Sequence, residues 1–533
     1  MTALAVASTR GASTPIGAPS SLPPDPPWSA RFRWAVVLAG PVVLGLWLVG
    51  LVAFSTTLVH HAYVSADFAT YNQAWTLVGQ GHLDPVDTVW LNHVPFVTAD
   101  FELVIWPLAL LHLILPQPVT LLWVQDIAVA GCGLVLYRWV LDYLERRRVP
   151  VVPTAAIACA TLAVFIANPG IYQTLLYDVH MEPISTVFIL LAGRDLWLGK
   201  QRRAWIWIGI ALLCGAFAAI TVIGLGVSAV LAGTSTRRSG LLCMLAGVGW
   251  LGLITLVGAN KGSDLNYYAY LAGRSTLPTG GGIVLVLLGI LGHPQRVVSQ
   301  LHSRLSLMWI LIKPVGIVGL ASAWGFGIPV TVMVVDALNS QYEFTYQAFQ
   351  NFAVFPFVLL GTVMVLVWIG QRFRWGAVPA VAVAVAVLST ALVYGIHTSP
   401  GNIRWAVAQV PEAQAAQLRN ALQRTPADAG VVATIGVIGI FGGRKSIYYF
   451  TPGGTYPVDG HPMVFVFYPA NEATGPLIKP SADEAASVFV RDALHARTLV
   501  DKAGITAYIW RPPPGTTAVK FPAPPSSASA MSP

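Results

Sequence analysis

From Trp34 to Val59 the chain runs without one charged side chain, and comparable apolar stretches recur through its first three quarters. A run of about 17–25 apolar residues is what an α-helix needs to cross the hydrocarbon core of a bilayer. Clear candidates lie at about 34–59, 119–141, 150–167, 183–199, 240–258, 306–325, 351–370 and 376–396. Three shorter pieces, at about 204–217, 219–233 and 328–339, read as helices covered by their neighbours. The expected architecture is an α-helical polytopic membrane protein of about eleven spans. Composition agrees: 55% of the 533 residues are hydrophobic and 10% charged, more apolar surface than a soluble core could hide.

The formal charge of +8 would suit a nucleic-acid partner if it were gathered on one polar face. Instead the cations form short clusters beside the spans, as the excess of Lys and Arg in inner loops requires. This excludes nucleic acid and leaves membrane lipids as the partner. The clusters also decide the stretch 101–115, which is apolar but short and carries Glu102, Pro107 and flanking prolines. If it crossed the membrane, Arg146–Arg148 and Lys200/Arg202/Arg203 would face outward. If it lies at the outer interface as a surface or re-entrant helix, these and Arg31/Arg33, Arg237/Arg238 and Arg372/Arg374 all face inward. The second arrangement is the expected one. It makes 60–118 a long outer loop and places 168–182, 259–305, 340–350 and everything after 397 outside. Within 294–305, Val297, Val298, Leu301 and Leu305 share one helical face, the pattern of a helix on the membrane surface.

Four units follow. Residues 1–30, rich in Pro, Ser and Ala, read as a disordered cytoplasmic tail; 31–397 form the transmembrane domain; 398–511 form a small α/β extracytoplasmic domain; 512–533 read as a disordered tail. In the third unit a polar helix at 405–424 precedes β-rich runs at 431–440, 446–450, 463–468 and 505–510. Gly436, Gly439, Gly442 and Gly443 lack dinucleotide-binding spacing and read as turns. All four cysteines, Cys132, Cys159, Cys214 and Cys243, lie in apolar stretches and read as small buried hydrophobes.

The outer face collects acids and imidazoles. The first outer loop holds Asp67, Gln73, His82, Asp84, Asp87, His93, Asp100 and Glu102; the second holds Tyr177 to Glu182. Acids at the mouth of a helix bundle are costly to desolvate, so they serve chemistry, ion binding or hydrogen bonding. Asp67 reads either as the cap of a helix at 68–80 or as a base facing a cavity. Asp178, His180 and Glu182 alternate, which puts them on one side of an extended segment; alternatively Glu182 only favours the N-terminus of a helix. No cofactor is certain from these residues. A divalent metal shared by His93, Asp100, Glu102, Asp178 and His180 is one alternative, although their spacing matches no standard motif. Arg274, Arg296, Arg304 and Lys261 either face lipid headgroups or hold the phosphate of a lipid-linked substrate.

Asp67-Phe68-Ala69-Thr70-Tyr71-Asn72-Gln73 resembles the D-L-G-x-F-x-Q signature of the bacterial membrane-protein family called domain of unknown function twenty seventy-nine. His93-Val94-Pro95 resembles a shortened form of its H-x-x-P element, and Tyr177 to Glu182 its F-D-x-H-x-E element. The run from Ala429 to Phe450, with Arg444 and Tyr448, resembles its outer C-terminal domain. That family is distantly similar to the GT-C glycosyltransferases, which use polyprenyl-phosphate-linked sugars and carry an essential acid in the first outer loop. The resemblance implies a GT-C-like fold in a bacterial inner membrane and a polyprenyl-phosphate sugar donor as partner. It makes Asp67 the general base, with Asp178, His180 and Glu182 as further catalytic residues of its cavity and Gln73, His93, Arg274, Arg296 and Arg304 on the substrate. Two departures stand out. Ala219, Ile220 and Thr221 replace the family's K-E-D, and a His-Tyr pair is missing around Phe349 to Asn351.

Rival classes are a transporter, a lipid-binding protein or a non-catalytic envelope-assembly component. Transporters favour mid-membrane polar sites and inverted repeats; here no repeat is evident and the acids sit at the ends of spans. The orientation is directly testable. In a background without the native cysteines, Arg147→Cys should resist an impermeant maleimide added outside intact cells, whereas Asp84→Cys should label at once.

Overall fold

A computed structural model of the chain describes residues 28–91, 93–99, 101–176, 178–258, 265–278, 282–340, 350–372, 382–394, 410–469 and 480–523. It is mostly helical. Helix α1 (Trp28–His60) leads to α2 (Ala66–Gly79), which lies across the bundle's end. A hairpin of β1 (Val86–Asp87) and β2 (Val94–Pro95) follows, then the short helices α3 (Phe96–Ala99) and α4 (Ile105–Ala109). The bundle continues with α5 (Val119–Arg146), α6 (Val151–Ile166), α7 (Pro169–Leu176), α8 (Met181–Trp197), α9 (Gln201–Leu212), α10 (Ala216–Leu231) and α11 (Thr234–Val257). Then come α12 (Gly282–Gly292), α13 (Pro294–Ile312), α14 (Ala323–Ala337), α15 (Val354–Arg372) and α16 (Ala382–Tyr394).

Among the described residues five helical stretches are long and apolar enough to cross a membrane: those beginning at Phe32, Val119, Val151, Thr234 and Val354. The second half of the expected span list needs revision. The stretch 306–325 is not one span: α13 ends at Ile312, Pro314 follows, and Gly316 takes φ +88° before α14 starts. The expected surface helix at 294–305 is the first part of α13, which meets α12 at 91°. Helix α12, apolar throughout, was hidden in what reads as an outer loop. The stretch 101–115 breaks into α4 and a 3₁₀ turn at Leu110–Leu113, neither long enough to span. Its tip exposes Leu110, Leu113 and Ile114. Cys159 is exposed on the bundle, whereas the other three cysteines are buried.

The bundle has two chemically distinct poles. At one, Arg33 pairs with Glu145 at 2.6 Å, Arg194 with Asp142 at 2.5 Å and Arg203 with Asp195 at 3.2 Å. The Arg146 guanidinium lies 4.4 Å from the Trp197 ring centre, and Gln371 donates to the Arg147 carbonyl at 2.9 Å. These residues end α5, α8 and α15 and begin α1 and α9. Helix α5 has 28 residues. At 1.5 Å per residue it reaches about 42 Å to the other pole, where α2 and the acids lie.

Beyond the bundle, α17 (Glu412–Arg424) and α18 (Pro480–Val488) flank a five-stranded sheet. Its strands are β3 (Gly430–Ala433), β4 (Ile447–Tyr449), β6 (Met463–Phe467), β7 (Arg497–Lys502) and β8 (Ile505–Trp510), ordered β4-β3-β6-β8-β7. The first three are parallel, and β8 is antiparallel to β6 and β7. The expected strand 431–440 stops at Ala433, and a 3₁₀ turn occupies Ile438–Phe441. The expected tail is ordered as far as Ala523: β9 (Ala518–Lys520) pairs with β5 (Thr455–Pro457). Its remainder, like residues 1–27 and 395–409, lies outside the described residues.

This domain is packed onto the acidic pole. Ala62, Ala66 and Ala69 share one apolar core with Val437, Ile438 and Phe441. The glycines expected at turns lie in the turn that follows β3, and two of them also allow close approach. The Gly439 amide donates to the Val64 carbonyl at 3.1 Å. A Cβ on Gly439 would lie 2.6 Å from that oxygen, and one on Gly442 would lie 3.0 Å from the Ala69 Cα. The edge strand β4 is covered by the first loop, where Thr88 exchanges hydrogen bonds with Ile447 and the Val89 carbonyl accepts from Tyr449. At the end of α1, Arg419 donates to the His60 carbonyl and pairs with Glu412. Gly439→Ala should therefore cost about 1–3 kcal/mol by overpacking. Thermal unfolding in detergent should show the lower Tm, with faster hydrogen exchange across 66–76.

Candidate functional site at the acidic pole

Ser65 starts α2 from an extended conformation, but its own side chain does not cap the helix. The first amides of any helix need acceptors and carry partial positive charge. Here Asp178, from a different part of the chain, meets them. Its Oδ1 accepts from the Ser65 amide at 2.8 Å, and its Oδ2 accepts from the Phe68 amide at 3.2 Å and from the Ser65 hydroxyl. The capping role that Asp67 could have filled thus belongs to Asp178, and Asp67 sits in the first turn of α2 between the two bonded amides.

Asp178 is held for this task by its backbone. It takes φ +61°, a left-handed conformation that Asp tolerates better than most residues. Gln125 of α5 clamps the segment: its Nε2 donates to the Asp178 carbonyl at 3.1 Å, and its Oε1 accepts from the His180 amide at 2.7 Å. His180 then stands at the N-cap of α8, and Glu182 lies in that helix's first turn. The alternation of Asp178, His180 and Glu182 therefore does not make an extended face, because the backbone turns at Asp178 and becomes helical at Met181.

Asp67 keeps a little accessible surface, yet protein surrounds it closely. Desolvation first, then the charges of Asp178 and Asp87, push its carboxyl from 3.8 up to about 7. Burial likewise raises Asp87 to about 6, against the pull of the Val89 amide that it accepts at 2.9 Å. Burial keeps the Asp178 carboxyl above its usual range despite the hydrogen bonds from Ser65 and Phe68. Glu182 lies within electrostatic reach of Asp67 and of Asp336 in the last turn of α14. His180 packs edge-on to Tyr71, with ring centres 6.4 Å apart. Asp67 combines a near-neutral carboxyl, some access and freedom from capping duty, and Glu182, in the first turn of α8, is likewise partly exposed with its carboxyl raised by burial to about 7.

The other expected site residues go elsewhere. The Gln73 amide is committed: its Nε2 donates to Thr88 Oγ1 and to the Arg444 and Lys445 carbonyls at 2.8–3.0 Å, while its Oε1 accepts from the Thr88 amide at 3.1 Å. It ties α2 to the first loop and the C-terminal domain. The His93 ring packs at a tilt against Tyr448, with ring centres 5.6 Å apart. Arg296 donates to the Tyr270 carbonyl at 3.2 Å and Arg304 to the Ser340 carbonyl at 3.3 Å, so both brace backbone near the end of α14. Arg274 is exposed. Asp100, Tyr177 and Lys261, and Phe349 of the missing His-Tyr pair, lie outside the described residues. Ala219 and Thr221, where the family has charged residues, lie inside α10, and the Thr221 hydroxyl is bonded to the Phe217 carbonyl at 2.9 Å. Among the described residues no group of three or more His, Cys, Asp or Glu side chains is arranged to hold a metal ion.

Sequence reasoning missed Gln125, Ser65 and Asp336. Gln125 and Asp336 carried a usable signal, a strongly polar side chain inside an apolar helix. Ser65 carried none, since its partner is 113 residues away.

The profile of the family described as "Predicted membrane protein (DUF2079)" matches residues 58–463. No curated protein matches the chain. Similar solved structures include ArnT from Cupriavidus metallidurans bound to undecaprenyl phosphate, at 12% identity and a TM-score of 0.40, with 90% of this chain and 98% of that chain covered. The matched segment runs from the end of α1 to the start of β6 and contains Asp67, Asp87, Gln125, Asp178, His180, Glu182 and Asp336. The chain belongs to this family of membrane proteins.

Proposed function

We propose that the protein is a GT-C-type glycosyltransferase that takes a sugar from a polyprenyl-phosphate carrier at the outer face of a bacterial inner membrane. The observation that carries this reading is Asp67: a carboxyl held near neutrality at a helix N-terminus, within electrostatic reach of Glu182, in the motif resembling that of the family. A base whose midpoint lies near the working pH is suited to proton abstraction. The basic pole faces the cytoplasm under the positive-inside rule, which puts the N-terminus there and the acids and the C-terminal domain outside. The N-terminal tail, the bundle and the outer domain divide the chain near residues 30 and 397, and the outer domain extends past 511 to include β9.

In the reaction Asp67 takes the proton of the acceptor hydroxyl as its oxygen attacks the anomeric carbon. The new C–O bond forms with inversion while the bond from that carbon to the phosphate oxygen breaks, and the polyprenyl phosphate leaves into the outer leaflet. His180 and Glu182 line the cavity. Arg296 and Arg304, which brace backbone close to the end of α14, are the cations that would meet the phosphate. A non-catalytic role as a transporter, lipid-binding or envelope-assembly protein has one observation in its favour: Asp178 and Gln73 are both spent on structural bonds.

Two outcomes separate these readings. With a radiolabelled polyprenyl-phosphate-linked hexose in proteoliposomes, Asp67→Asn should lower turnover by about 10²–10⁴-fold. The wild-type rate should rise with pH through a midpoint near 7, where Asp67 loses its proton. Unchanged turnover in a folded Asp67→Asn protein rejects the base assignment. Stability should move the opposite way. A carboxyl raised in the folded state favours folding when protonated, so stability falls as pH rises from about 4 to about 7. At about 1.4 kcal/mol per pH unit the penalty is at most about 4 kcal/mol. Asp67→Asn should therefore raise the Tm at pH 8 and leave it unchanged at pH 4.

A further inference from the structure

We infer that Gln125, on α5, is a positioning residue that sets Asp67 through Asp178. The geometry stands by itself; what the setting achieves rests on the transferase reading. Gln125 is 1% exposed and lies near the acidic end of the longest internal helix. Its planar amide presents one acceptor and one donor to two backbone groups, the His180 N–H at 2.7 Å and the Asp178 C=O at 3.1 Å. These are buried groups of a segment that has left α7 and not yet entered α8, so no helix satisfies them. The same segment holds Asp178 at φ +61°, a conformation that persists only where its surroundings over-determine it.

From there the chain of contacts continues without a gap. The Asp178 carboxylate takes the Ser65 amide, the Ser65 hydroxyl and the Phe68 amide, which bracket Asp67. Helix α5 is itself anchored at the far pole by Glu145 with Arg33 and by Asp142 with Arg194. Gln125 therefore refers the first turn of α2 to a long helix anchored at the opposite pole. Only a carboxamide fits this place. Met matches its volume but offers neither donor nor acceptor, and ionised Glu keeps the acceptor but loses the donor.

The test uses the full chain in nanodiscs, with Gln125→Met and Gln125→Glu beside wild type. Three readouts apply: hydrogen exchange at the Ser65 and Phe68 amides, the pH midpoint of the Asp67 carboxyl infrared band (identified by its loss in Asp67→Asn), and hexose turnover. In Gln125→Met the two amides should exchange at least tenfold faster while the middle of α5 is unchanged. The Asp67 midpoint should fall toward the ordinary carboxylate range, and kcat should drop at least tenfold with KM within twofold. Gln125→Glu should behave like Gln125→Met at pH 8 and recover protection at pH 5, where its protonated carboxyl donates again. If Gln125→Met does not fold, this pH contrast decides. Wild-type exchange and midpoint in Gln125→Met, or no pH contrast in Gln125→Glu, would overturn the inference. If Asp67→Asn leaves turnover intact, the transferase reading fails, and the exchange and infrared readouts still decide the role of Gln125.

Discussion

The capping of α2 by Asp178 is the contact on which the acidic pole depends. A helix lying across the end of a bundle has no turn of its own to satisfy its first amides, and their partial positive charge draws an anion. Asp178 supplies it from the loop before α8, with Ser65 and Phe68 as donors. One carboxylate thereby fixes the helix that carries Asp67 to the loop that carries His180 and to the first turn that carries Glu182. Its charge also helps keep the Asp67 carboxyl near neutrality.

Around this contact the architecture separates two kinds of electrostatics. At the basic pole each of three acids has an arginine partner: Glu145 with Arg33, Asp142 with Arg194, Asp195 with Arg203. At the acidic pole carboxylates meet carboxylates, and their repulsion is relieved by amide donors and by protonation. The C-terminal domain closes over this second pole. It is bound by the glycine contacts of Gly439 and Gly442, by Gln73, and by the pairing of Arg419 and Glu412 with the end of α1. Because it shares an apolar core with α2, it behaves as a fixed roof over the site rather than as a tethered appendage.

What the sequence revealed and what it concealed have physical reasons. Long apolar runs are local signals, so α1, α5, α11 and α15 were legible, as was the clustering of arginines at one pole. Helices α12 and α13 were misjudged because a 91° bend at Gly292–Pro294 divides one apolar stretch between two directions, which hydropathy cannot register. Strand β7, charged at both ends and with a register shift near Val500, carries too weak a pattern to be read from sequence. At the site, residue types predicted an acidic cluster, but not which acid would cap and which would stay free. That depends on contacts such as Ser65 to Asp178, which only the folded chain creates. Gln73 shows the same limit: its place in the motif suggested substrate contact, and its amide is spent on Thr88, Arg444 and Lys445.

The most direct measurement of the central contact is a double-mutant cycle on the stability of the detergent-solubilised protein, pairing Ser65→Ala with Asp178→Asn. Charge-assisted hydrogen bonds at a buried helix N-terminus couple by about 1–3 kcal/mol. The account predicts a coupling energy in that range, with both single variants destabilised. Losses that simply add, within about 0.5 kcal/mol, would mean that the two residues act independently and that Asp178 does not hold α2.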